Sequence, residues 1–333
     1  MLRRTFVRLF AGSLLAVLGS CRPVKPGSAG NYGFRHGVAS GDPLPDGVII
    51  WTRVSGGEGE PVSVSWQVAT DRQMRSIVAE GKAETGPEKD YTVKVDVRGL
   101  PPGARCYYRF RAGDSSSPIG STRTLPGGSI ATATFAVVSC SSYPTGFFHA
   151  YREIALRDDL DAVVHLGDYL YEYGLGEYGT EYAEALSRVP EPAGEARSLS
   201  DYRRRHAQYK SDPDSQAMHA AHPLIAVWDD HEIANDAWRG GAENHADDEG
   251  DWQERVSTAV QAYLEWMPVR AEAAGSATRI YREFVYGDLL ALLMLDTRLI
   301  GRDRQPVVSA DMGPGDAAAV LGDTDRDLLG DEQ

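Results

Sequence analysis

The chain has 333 residues, 42% of them hydrophobic and 25% charged, with a formal net charge of −14. That length admits two domains and a sizeable core, and the composition is that of a globular protein, not a fibrous or disordered one. The acidity argues against nucleic-acid binding, which needs a basic footprint, and suits a site that gathers carboxylates around hard cations.

Residues 1–21 read as an export signal. Arg3, Arg4 and Arg8 flank an apolar run, residues 9–18, that is too short to span a bilayer comfortably. Arg3-Arg4 followed by Phe6 has the twin-arginine form, and Leu18-Gly19-Ser20-Cys21 has the form of a lipoprotein box. The chain is therefore expected outside the cytoplasm, periplasmic or at the cell surface, with Cys21 as a membrane tether where it is lipidated. Residues 22–33, rich in Pro, Gly and Ser, read as a linker.

From 34 to 125 the signals are β. Residues 48–52, 62–68, 91–97 and 106–111 are short apolar or alternating runs separated by Gly and Pro turns. They predict an all-β sandwich of the immunoglobulin or fibronectin type III class, with a lid, spacer or docking role. From 133 to 333 the texture alternates: a strand at 134–139, a helix at 147–159, and a strand ending at Gly167. A polar helical segment at 198–222, a strand ending at Trp228 and a helix at 252–266 follow. Residues 280–286 and 289–295 read as strands paired around Gly287-Asp288, and 239–251 and 301–326 as loops. This is the pattern of a layered α/β domain. Cys106 falls in a strand and Cys140 in a polar loop, so separate roles are expected for them.

The chemistry concentrates at strand ends. Leu224-Ile225-Ala226-Val227-Trp228 runs into Asp229-Asp230-His231-Glu232, and an earlier apolar run ends in Gly167-Asp168-Tyr169-Leu170-Tyr171. A third strand leads into Ser139-Cys140-Ser141-Ser142. Ligands bind outside the carboxyl ends of strands in open α/β sheets, and oxygen ligands joined by a histidine suggest a metal site for hydrolysis of phosphate esters. The other readings are a buried or disulfide-bonded Cys140, a packed Tyr171, a helix-capping Asp168, and a solvated acidic face at 229–232. His149, His165 and His206 read as structural, and Glu243, Asp247, Asp248 and Glu249 as a solvated loop.

Taken in order, the Ser-Cys-Ser loop, Gly167-Asp168-x-x-Tyr171-Glu172, Trp228-Asp229-Asp230-His231-Glu232 and the final Leu329-Gly330-Asp331-Glu332-Gln333 resemble the PhoD-type alkaline phosphatases. The resemblance implies a metallophosphoesterase-like α/β domain behind the β-sandwich. It also implies hydrolysis of phosphate mono- or diesters by metal-activated water, with Fe3+ and Ca2+ as cofactors. By carry-over, Cys140 and Tyr171 hold iron, Asp168 bridges iron and calcium, and Asp230 binds calcium. His231 contacts the phosphoryl group or its leaving oxygen, and Asp229 and Asn235 are weaker candidates for the same site. The family's distal Gly-Asp-x-His-type motif has no counterpart here, the last histidine being His245. The chain is therefore expected to be truncated, with its activity in question. The reading from another class is a surface-tethered binding protein that uses the β-sandwich without catalysis.

Overall fold

The structure, a computed structural model, describes residues 32–57, 59–270, 272–274 and 277–333. The export signal, Cys21 and most of the linker lie outside these residues. The N-terminal part forms β1 (Val38–Leu44), β2 (Gly47–Arg53), β3 (Val62–Ala69), β4 (Ile77–Thr85), β5 (Thr92–Arg98), β6 (Arg105–Ala112), β7 (Ser115–Ser116) and β8 (Gly120–Arg123). The remainder forms β9 (Phe135–Val138), α1 (His149–Ala155), β10 (Ala162–His165), α2 (Leu199–Ser211), α3 (Pro213–Ala221), β11 (Pro223–Ala226) and α4 (Trp252–Trp266). Two hairpins, β12 (Glu272–Ala274) with β13 (Ala277–Arg279) and β14 (Arg282–Tyr286) with β15 (Leu290–Met294), precede α5 (Pro314–Leu321).

The β-rich part has two layers. One is the sheet β4-β3-β6-β7 with β8 on β6. The other is β5-β2-β1, which does not stop at the boundary expected from sequence but continues as β11-β10-β9. The β1–β11, β11–β10 and β10–β9 pairings are all parallel. The strand that makes this join, β1, carries Gly41, Asp42 and Pro43, residues that argue against a strand on propensity. Gly41 is needed there, because a Cβ would run into the carbonyl oxygens of Leu224 and Pro268. Between the two layers Val48, Ile50, Val64, Val68, Val97 and Phe110 form one core.

Strands β10 and β11 are buried along their whole length, as their unbroken apolar runs require in a parallel sheet covered on both faces. Their Val163, Val164, Leu224 and Ile225 pack with Met218 of α3 and Tyr263 of α4 in a second core. Burying each such aliphatic side chain contributes about 1.5–3 kcal/mol. Helix α4 has the predicted bounds: Asp251 caps it by accepting from Glu254 N–H, and Val260, Tyr263 and Trp266 supply its buried face. The 198–222 segment is two helices, because Pro213 cannot continue the first. Asp212 ends α2 and caps α3, accepting from the N–H groups of Asp214 and Ser215. The stretch 301–326 is not all loop, since Pro314 opens α5 and Ala317-Ala318-Ala319 favour the helix that follows. Helix α1 is shorter than expected, beginning at His149.

Candidate metal centre

Three parallel neighbours, β9, β10 and β11, end side by side, so the loops that follow them meet at one edge of the sheet. Each loop turns sharply. Cys140, at the end of the first, has φ 57°, and Asp168, at the end of the second, has φ 52°. This left-handed region is sparsely used by non-glycine residues, and aspartate tolerates it better than most. Gly167 has φ 106°, and a side chain there would strike the backbone and Cβ of Asp229 in the third loop. Only glycine lets the second and third loops lie this close. The first loop is stitched to the second by Ser141 N–H donating to Asp168 O at 2.9 Å and Ser141 Oγ donating to Tyr169 O at 2.9 Å.

Five of the side chains singled out in the sequence converge there. Asp168, Asp230 and His231 offer ligand atoms that all lie within 4.8 Å of one another. On the other side of Asp168, its Oδ2 accepts from Tyr171 Oη at 3.1 Å and from Cys140 Sγ at 3.4 Å. Its Oδ1 is buried with no partner. A buried, unpaired carboxylate oxygen is costly unless something positive faces it. Burial holds the Asp168 carboxyl above its ordinary range, with the charges of Asp230 and Asp229 adding to the effect. Burial, then Asp168 and Cys140, likewise hold the Tyr171 phenol well above its usual value. Arg298 and His231 offset part of the negative charge of Asp229 and Asp230, but Asp168 Oδ1 keeps no partner, and a polyvalent cation would relieve it. Thiol, phenol and carboxyl on one side suit a transition-metal ion, and carboxylates on the other suit a hard, oxygen-ligated ion.

Several residues that hold this arrangement lie within the motifs without any local signal of that role. Glu172 has no exposed surface. Its Oε2 takes the hydrogen bond of His231 Nδ1 at 2.8 Å, and its Oε1 accepts from Asn235 N–H at 2.7 Å. Burial pulls the His231 imidazolium down, but the hydrogen bond and charge of Glu172, with Asp230 and Asp168, outweigh it and hold the group at about 9. Glu232, 1% exposed, points away from the cluster and accepts from three peptide N–H groups, of Asp168 (3.1 Å), Tyr169 (2.6 Å) and Asp229 (2.8 Å). It clamps the second loop to the third. Tyr171 stacks on His231 with ring centroids 4.2 Å apart, and Tyr173 lies 5.4 Å from the same ring.

Two weaker candidates do not join the group. Asp229 is turned to Arg298, which also reaches Asp230 at 3.4 Å. Asn235 gives its side-chain amide to Glu243 and its N–H to Glu172. Cys140 is exposed and Cys106 buried, and neither is in a disulfide. His165 and His206 are fully buried structural groups, whereas His149 is exposed and stacked on Phe147 at 5.6 Å. In the acidic loop, Glu243 and Glu249 are engaged, the latter with Arg197 and Arg255, so that loop is pinned in part.

The likeness to known proteins runs through both parts of the chain. A family model described as "PhoD-like phosphatase" matches residues 135–333, and one described as "PhoD-like phosphatase, N-terminal domain" matches residues 20–126. Alkaline phosphatase D of Bacillus subtilis (strain 168) is 40% identical over 318 residues, covering 91% of this chain and 52% of that protein. The solved structure titled "Structure of PhoD" superposes with a TM-score of 0.80 at 38% identity, covering 90% of this chain and 58% of that one. The chain thus spans a little over half the length of these relatives.

Proposed function

Because the chain belongs to the PhoD-like phosphatase family, we propose that it takes part in metal-dependent hydrolysis of phosphate mono- or diesters. The observation that carries this reading is the convergence of Cys140, Asp168, Tyr171, Asp230 and His231 around a buried carboxylate oxygen that has no partner. Cys140, Tyr171 and Asp168 would hold Fe3+, and Asp168 and Asp230 would hold Ca2+. Bound there, the ions would supply Lewis acidity, polarising the phosphoryl oxygens and lowering the pKa of water.

The chain's own residues do the rest. Glu172 fixes His231 through Nδ1 and leaves Nε2 free to meet the phosphoryl group or the departing oxygen. A cationic imidazole there stabilises negative charge as it builds, and its proton can pass to the leaving alkoxide. Glu232 keeps Asp168 and Asp229 in register without touching substrate. Support for two domains comes from the separate matches to residues 20–126 and 135–333. We read residues 34–125 as an immunoglobulin-like sandwich and 133–333 as a metallophosphoesterase-like domain. Residues 1–21 are read as a twin-arginine export signal with Cys21 as lipid acceptor, and no helix among the described residues is long and apolar enough to cross a membrane.

Elemental analysis of the full chain after loading, with phosphate release from a mono- and a diester, tests the function. Near-stoichiometric iron and calcium are expected, with iron lost in Cys140→Ala and Tyr171→Phe. A folded chain that holds neither metal and releases no phosphate overturns the reading.

A further inference from the structure

Beside the candidate centre, two tyrosines lead from His231 to solvent. Tyr173 is half-buried, its ring 5.4 Å from the His231 ring. Tyr178 lies 5.7 Å from Tyr173, at 53° to it, and is 71% exposed.

The segment that carries them is firmly built. Arg205, itself 1% exposed, donates to the carbonyl of Tyr173 at 2.9 Å. Glu177 closes the turn by accepting from Gly174 N–H at 2.7 Å, and Thr180 Oγ1 accepts from Gly176 N–H at 2.9 Å. Tyr178 also lines an open cleft of about 540 Å³ together with Leu175, Glu177, Glu181 and Glu184. Its lining is thus partly aromatic and apolar and partly carboxylate. It offers a flat face to a planar group and repels an anionic one.

We propose that Tyr173 and Tyr178 form the leaving-group subsite, and that it takes the uncharged, planar alcohol portion of a phosphate ester, of aryl type. The proposal rests on the phosphate-ester reading for its substrate and adds the side of the molecule that the two rings would grip. Ring stacking of this kind sets the size of the effect at roughly 3- to 10-fold in affinity.

The test uses non-hydrolysable probes, so that it does not depend on turnover. Calorimetric titration of the metal-loaded full chain compares phenylphosphonate with methylphosphonate. Phenylphosphonate is expected to bind roughly 3- to 10-fold more tightly, and the ratio to fall towards unity in Tyr178→Ala, a change at an exposed position. A Tyr173→Leu variant checks the inner ring in the same way. A ratio near one in the unaltered chain, a ratio unchanged in both variants, or no binding of either phosphonate overturns the subsite. Parallel assays with phenyl phosphate and glycerol phosphate separate the two claims. Preferential phenylphosphonate binding without hydrolysis of either ester leaves the subsite standing and removes the hydrolytic reading. Hydrolysis of both esters without preference does the reverse.

Discussion

The carboxylate of Glu172 faces two ways, and both matter for His231. Its Oε1 anchors the third loop through Asn235 N–H, and its Oε2 meets His231 Nδ1. Glu172→Gln keeps the shape and the Oε1 acceptor but puts an amide N–H against Nδ1. The imidazole is then driven to the tautomer with its proton on Nε2 and without charge. We expect kcat/KM for an aryl phosphate to fall about 100-fold while the fold is retained. Unaltered turnover in a variant with normal metal content would remove the assigned role of Glu172. At this scale the sequence was informative about position and silent about direction. Gly167-Asp168 and Asp230-His231 stood out because they follow apolar runs. Glu172 and Glu232 lie in the same motifs, but nothing in a string of acids tells which one faces a cation and which faces peptide N–H groups. Arg298, arriving from 68 residues beyond Asp230, had no local signal at all.

At the scale of elements, helix α2 is the scaffold of the site. Tyr202, Arg205 and Tyr209, spaced by three and four residues, lie on one helical face. Tyr209 Oη accepts from the N–H groups of Tyr143 (3.0 Å) and Tyr171 (3.3 Å), joining the first loop to the second. Arg205 donates to the carbonyls of Tyr171, Tyr173, Glu191, Pro192 and Gly194. Tyr202 donates to Ile233 O at 2.6 Å, reaching the third loop. Tyr209→Phe removes one oxygen and strands two N–H groups, that of Tyr171 buried and that of Tyr143 partly buried. The expected cost is about 1–3 kcal/mol, read as a lower urea midpoint, together with weaker iron retention. A midpoint within error of the unaltered chain would mean that the two loops hold themselves. The segment reads as polar in sequence, which suggests a solvated helix, yet Tyr202, Arg205, His206, Tyr209 and Lys210 are all buried. Its polarity serves backbone groups of distant loops, a long-range relation that periodicity cannot reveal. Strand β1 was hidden for the opposite reason: its Gly41 and Pro43 look like turn residues, and only the approach of Leu224 and Pro268 explains the glycine.

At the scale of the whole molecule, the join between the β layers and the α/β part encloses ionisable groups far from water. His165, His206 and His219 are each 2% exposed or less, and Lys210 is 1% exposed. Lys210 Nζ lies 2.9 Å from His219 Nε2 and 5.0 Å from the ring of Trp51 in β2. Tyr169 Oη reaches the same His219 nitrogen at 2.9 Å. Burial, and then the charge of Lys210, push His165 down to about 3 and His206 and His219 well below their ordinary value. In the unfolded chain these histidines titrate near 6.5. Between those limits the unfolded state binds protons that the folded state refuses, so stability is complete above about pH 6.5 and declines as pH falls. His165 adds at most about 1.4 kcal/mol per pH unit to the slope in that interval, and His206 and His219 act in the same direction. His206 stacks on Trp266 at 12° and on Tyr169 at 23°, so phenylalanine can occupy its place. His206→Phe should therefore leave the urea-derived stability near pH 7.5 within a small offset and make its decline between pH 6 and 5 shallower, by at most about 1.4 kcal/mol per unit. Comparing the two chains cancels the carboxylates and the candidate metal centre, which titrate alike in both. Parallel curves over that interval would mean that His206 is not held neutral, and that the join between the two parts admits water.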